Sequence, residues 1–207
     1  MTDATRLDRL LTFDPRDFQV ARFALALSAL AVALVTVARP LWQWLRDEPL
    51  EGGITVDAAA TQVAAREGAE VAWSGDVLVT LASPTTTDRL AALAPGLALS
   101  LTAALLAWLG IRLLTAIASG EPFTRRSVNA LRGIAATLLA AMLVVPATDA
   151  VLQAQLATSG LADSNDAVFV LEPFLLLLVG TVALVVASVA EAFARGARLA
   201  DDVDGLV

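Results

Sequence analysis

The chain has 207 residues, 57% of them hydrophobic and 17% charged, with a mean hydropathy of +0.73. A soluble domain is nearer half apolar, so too little charge is left to cover a water-facing surface, and the composition is that of an integral membrane protein. Cys, His and Tyr are absent and the net charge is -7, which removes disulfides, thiolate metal sites, cysteine nucleophiles and the commonest general base, and argues against nucleic acid as a direct ligand.

A helix needs about 20 apolar residues to cross a bilayer. The first run that long extends from about Val20 to Leu45 and follows Arg6, Arg9, Arg16 and Arg22. Thr36-Val37-Ala38 reads as a weak signal-peptidase site. The acids Asp3, Asp8, Asp14 and Asp17 ahead of the run are foreign to a leader peptide, so the segment is expected to remain as a span. Trp42 and Trp44 form an interfacial anchor at its end, with Arg39 reaching outward one turn below.

The next segment, about residues 46–94, is too long for a mere connector. Ile54-Thr55-Val56 is a short strand candidate, and the Ala-rich stretch Asp57 to Gly68 a short helix. Val71 and Trp73, then Val77, Val79 and Leu81, alternate with small or polar residues. That is the period of a half-buried strand, and Ser74-Gly75-Asp76 supplies a turn for a β-hairpin. Thr85-Thr86-Thr87-Asp88 offers an N-cap for a helical turn leading to Pro95. A small cap containing a hairpin is expected here, packed on the helix ends because a lone hairpin is marginal.

The second span is expected from about Pro95 to Ile117. Gly120 then stops the helix, Pro122 blocks its continuation and Thr124 caps a new one. In that new helix Val128 and Leu131 share a face, leaving Arg125, Arg126 and Arg132 to meet lipid headgroups. The third span is read as about Leu131 to Leu152, followed by an arginine-free loop from Gln153 to Ala167. The fourth is read as about Val168 to Phe193, running out as a helix into a tail that turns from basic (Arg195, Arg198) to acidic (Asp201, Asp202). By the positive-inside rule both termini and the 120–131 loop lie in the cytoplasm, and the 46–94 cap lies outside.

The whole chain is thus expected as one domain, an all-α four-transmembrane-helix bundle with a small hairpin-bearing outer loop between helices one and two, in the plasma membrane. Gly96, Ser100 and Ala104, and Gly180, Ala183, Ala187 and Ala190, are spaced for close helix packing. Candidate intramembrane polar groups are Asp149, with Gln153 one turn on, and Glu191, which lies at the depth of Arg112 and is expected to pair with it. A docking surface for a partner is expected at Phe123, Arg125, Arg126, Arg195, Arg198, Asp201 and Asp202.

The loop Gly120-Glu121-Pro122-Phe123-Thr124, with Asn129-Ala130-Leu131-Arg132, and the tail Glu191-Ala192-Phe193-Ala194-Arg195-Gly196-Ala197-Arg198-Leu199 with its acidic end resemble a bacterial membrane family catalogued as domain of unknown function 2975. The shared pattern is G-x-PF before an LR helix, and F-x-x-G-x-x-L leading into acidic residues. It covers spans two to four, and the outer loop matches in general plan. The resemblance implies a four-span protein and, because such proteins are often encoded beside a small helix-turn-helix regulator, a regulatory cytoplasmic partner. It carries no catalytic residues and no cofactor.

The expected function is therefore regulatory or sensory, with the bilayer and a helix-turn-helix regulator or other cytoplasmic protein as partners. The alternatives are a small transporter or efflux accessory subunit, and a structural envelope protein that self-associates into a homo-oligomer. Thr102, Thr115, Thr137, Thr181 and Ser188 are too sparse to outline a polar path. Catalysis is not expected: Asp149 and Glu191 fall at opposite ends of their spans, there is no His for a metalloprotease, and no nucleophile elbow occurs.

Overall fold

The computed structural model describes residues 15–55, 69–74, 76–120, 123–161 and 173–204. The helix expected over Asp57 to Gly68, the Glu121-Pro122 dipeptide, the start of the fourth span before Pro173 and the terminal Leu206-Val207 lie outside these residues. Among the described residues four helices are long and apolar enough to cross a membrane. The first is built of α1 (Pro15–Ala33), a π-helical turn (Leu34–Ala38) and α2 (Arg39–Leu45); the others are α3 (Thr86–Ala118), α4 (Arg125–Gly160) and α5 (Pro173–Asp204). Between the first and second lie β1 (Leu50–Ile54), β2 (Ala69–Ser74) and β3 (Asp76–Leu81). By internal contacts the chain groups into two compact units, Met1–Leu30 with Ala103–Leu139 and Gly180–Val207, and Ala31–Thr102 with Ala140–Val179.

The second unit contains the sheet. Its three strands run in the order β1-β3-β2, both pairings antiparallel. The hairpin read from the alternation is thus present, and a third strand completes it. Val77, Val79 and Leu81 of β3 are buried while Leu78 between them is exposed, so the period-two pattern reports which face is covered. β1 is displaced from its expected place at Ile54-Thr55-Val56. It runs Leu50–Ile54, through a Gly52-Gly53 pair that reads as a turn in sequence. The reason is packing: a Cβ on Gly52 would collide with the Leu156 side chain, whereas one on Gly53 would meet nothing.

The covered face of the sheet rests on the end of α4. The core joins Leu50, Ile54, Val77, Val79 and Leu81 to Leu156, Ala157 and Leu161. The helix that carries the third span therefore does not stop at Leu152, and Gln153 to Gly160, expected as loop, are helical. Gln153, Gln155 and Ser159 make this last part of α4 look like a loop in sequence, yet its other face is apolar and capped by the sheet. Gly160 admits β3, since a Cβ there would strike Val79.

The Thr85–Asp88 run does supply an N-cap, at Thr85, but it opens the whole of α3, with Pro95 inside the helix. Thr85 and Asp88 form a reciprocal capping pair. Thr85 donates its backbone N–H (2.7 Å) and its hydroxyl (2.8 Å) to Asp88 Oδ2, and Asp88 N–H points back at Thr85 Oγ1 (3.3 Å). Next to it, the buried Arg89 donates to the Gln43 carbonyl and pairs with Asp47, tying the start of α3 to the end of α2. Asp47 adopts φ 56°, a left-handed conformation that Asp tolerates better than most residues.

Of the small residues expected at helix contacts, Gly96 and Ser100 meet Thr36 of the π turn. Ala104 is exposed. On α5, Ala183 and Ala190 are fully buried and Ala194 joins them, while Ala187 is exposed. The buried face of α5 thus follows a spacing of seven and four residues and leaves Ala187 off it.

Candidate functional site

Asp149 apart, the functional residues expected from sequence belong to the first unit. Helix α3 ends in a Gly120 turn with φ +80°, where a side chain would be strained, and Gly120 N–H donates to the Ile117 carbonyl (3.1 Å). Thr124 caps α4. Its hydroxyl shares a hydrogen bond with the buried Ser127 hydroxyl (3.2 Å), and Val128 N–H donates to its carbonyl (3.1 Å). Val128 and Leu131 are both buried, as their shared face implied, and Arg125, Arg126 and Arg132 are exposed.

Phe123 links this loop to α5. Its ring lies 5.2 Å from that of Phe193, tilted by 47°, within the preferred range for aromatic pairs. It also lies directly over Gly196, where an added Cβ would come within 3.0 Å of the ring. The Phe of the loop motif and the Phe and Gly of the tail motif, far apart in sequence, are thus three parts of one contact. We expect Gly196→Leu to displace Phe123 and speed protease cleavage after Arg125 or Arg126 severalfold. Gly53→Ala, at an open position, serves as the neutral control. Equal cleavage of Gly196→Leu and the unsubstituted chain would contradict the contact.

The electrostatics around this contact are one-sided. Arg125, Arg132 and Arg198 line a groove of about 380 Å³ between α4 and α5, with Val128, Asn129, Ala194 and Ala197. Glu191 is the carboxylate here, and the structure corrects its expected partner. It accepts from Arg195 one turn on (3.3 Å) and faces Arg132 at 3.6 Å, while the Arg112 guanidinium lies over the Trp108 ring at 4.7 Å. Since Glu191, Arg132 and Arg195 are all about half or more exposed, these pairs orient side chains more than they stabilise the fold.

Asp149 belongs to the second unit and accepts from Gln153 Nε2 at 2.7 Å, one turn along the same helix. The helix α5 backbone extends through Asp201 and Asp202, whose side chains lie outside the described residues. The hydroxyls of Thr102, Thr115, Thr137 and Ser188 each donate to the carbonyl four residues back. They satisfy their own helices and do not mark a polar path.

In sequence Asp88 shows only as the end of a capping run, and its link to a second helix is not visible there. Asp88 is almost fully buried, and beyond its capping bonds its Oδ1 accepts from Gln155 Nε2 (2.9 Å) and Ser159 Oγ (2.8 Å) of α4. The available clue was the pairing of a cap carboxylate with a Gln-x-x-x-Ser turn on a helix that sequence reading had ended too early.

Four apolar helices of spanning length, a three-stranded sheet between the first two and a cluster of arginines about one loop define a multi-pass membrane protein. A family profile described as protein of unknown function DUF2975 matches residues 55–207, and the chain belongs to that family. Comparisons with curated proteins and with solved structures return no match.

Proposed function

We propose that the protein is a membrane-bound regulator or sensor that holds a soluble partner through loop 120–131 and tail 195–207, with both termini in the cytoplasm. The observation that carries this reading is the Phe123–Phe193–Gly196 contact. It couples the loop between α3 and α4 to the start of the tail, so a small shift of α3 or α5 alters both at once. Around it Arg125, Arg126, Arg195 and Arg198 are exposed, and Phe123 keeps about half its surface accessible at 49%. A half-exposed aromatic ringed by arginines is the composition of an interaction hot spot. The partner surface it suits is acidic with an apolar anchor.

The mechanism is a two-state equilibrium in which one arrangement of α3 and α5 presents this surface and the other withdraws it. The protein is proposed to perform no catalysis itself. Affinity purification of the full chain, of Phe123→Ala and of a chain lacking residues 195–207 tests the reading. The full chain is expected to retain a soluble protein that both altered chains lose. Identical recovery by all three would sink it.

A further inference from the structure

Leu105, Trp108, Arg112 and Thr115 of α3, with Ser119 just past its end, recur at spacings of three and four and so form one stripe. All five are exposed. The stripe is apolar as far as Trp108 and changes character at Arg112, whose guanidinium is seated on the Trp108 ring. Beside its polar half lies a groove of about 590 Å³ bordered by Arg112, Thr115, Ser119, Thr124 and Arg126. A second groove of about 360 Å³ shares Arg112 and Arg126 and adds Arg125. Among the described residues no carboxylate lines either groove, and none of these three arginines is in a salt bridge.

The hydroxyl protons of Thr115 and Ser119 are committed to backbone carbonyls, so the charged donors facing the groove are the guanidinium N–H groups of Arg112 and Arg126. A guanidinium fork matches a phosphate in bidentate geometry, and Arg stacked on an aromatic ring is held ready for it. A tryptophan between an apolar stretch and a cation is the arrangement found where hydrocarbon gives way to headgroups.

We infer that Arg112 and Arg126 bind the phosphate of an anionic phospholipid whose acyl chain lies along Trp108 and Leu105. Free phosphate offers the same charge, but it leaves the apolar half of the stripe without a role. This site shares Arg126 of α4 with the Phe123 surface, but it is centred on Arg112 and Trp108 of α3 and needs neither Phe193 nor the tail.

Trp108 reports occupancy directly. Trp42, Trp44 and Trp73, the other tryptophans, are replaced by Phe, and the full-length protein is titrated in vesicles with lipids brominated along the acyl chain. Brominated phosphatidylglycerol is expected to half-quench Trp108 at about tenfold lower mole fraction than brominated phosphatidylcholine, as follows from the attraction of two arginines for anionic headgroups. Arg112→Gln with Arg126→Gln should remove that preference, and Arg195→Gln with Arg198→Gln should leave it. Equal quenching by the two lipids, or a preference that survives the Arg112/Arg126 double substitution, overturns the inference. Release of the quench by millimolar inorganic phosphate overturns the lipid assignment in favour of a soluble phosphate site.

Discussion

Replacing Asp88 with Ala is expected to lower the unfolding temperature in detergent by roughly 5–10 °C, an estimate from the loss of about 3 kcal/mol in a chain of this size. The side chain does three jobs at once. It closes the first turn of α3 by taking the Thr85 N–H and hydroxyl, places negative charge at the helix N-terminus, and accepts from Gln155 and Ser159 of α4. Truncation removes the cap and leaves Gln155 Nε2 only the Ser159 hydroxyl at 3.5 Å in place of an acceptor at 2.9 Å. Losing the close partner of a partly buried donor costs more than the net value of the bond.

Asp88→Asn separates these contributions. It keeps Oδ1 for Gln155 and Ser159 but sets an amide against the Thr85 N–H, so an intermediate loss of roughly 3–5 °C is expected. Gln155→Ala should cost less than Asp88→Ala, because the capping pair survives. Limited proteolysis gives the second readout: cleavage between Leu50 and Leu81 should rise in Asp88→Ala, since the sheet packs on the same stretch of α4. An unfolding temperature unchanged to within a degree would show that the network does not hold the sheet to α4.

Gly96→Val is expected to separate the first helix from α3. A Cβ at position 96 would collide with the Thr36 carbonyl oxygen, a backbone atom that no rotamer change can move. The approach is close because Thr36 sits in the π turn, where Pro40 has no N–H to donate to the carbonyl four residues back. The Thr36 hydroxyl then lies 2.8 Å from the Val32 carbonyl and 3.2 Å from that of Gly96, two acceptors for one proton, and 3.0 Å from Ser100 Oγ. Filling the space costs about 3 kcal/mol of overpacking, besides the interhelical bonds lost.

The chain has no cysteine, so a pair introduced at Val32 and Ser100 crosslinks without background. Crosslinking of this pair should be efficient in the otherwise unsubstituted chain and fall severalfold with Gly96→Val. If it persists undiminished, the two helices do not meet at Gly96.

Legibility in sequence depended on whether a residue's role was local. Gly120, Thr124 and Thr85 were readable because a positive φ or a cap is settled by neighbours in the chain. Val77, Val79 and Leu81 were readable because alternation is itself the record of one buried face. Arg112 and Glu191 were mispaired because similar depth in two helices says nothing about rotation around them. Ala187 was placed on a buried face for the same reason, although the spacing of small residues admits more than one stripe. The Phe123 contact lay in the motif residues all along, but sequence displays them as two separate signatures.

By itself, then, the sequence determined that this is a membrane protein with four spans, that one helix gives way to the next between Gly120 and Thr124, and that a hairpin lies between the first two. Those properties follow from hydropathy and backbone preferences, which act over one or two turns. Only the tertiary structure decided that α4 runs on under the sheet, that Asp88 bridges two helices, and that Arg132 and Arg195 face Glu191 while Arg112 stacks on Trp108. These depend on which face of each helix meets which neighbour. Hydropathy cannot encode that where lipid and protein interior are equally apolar.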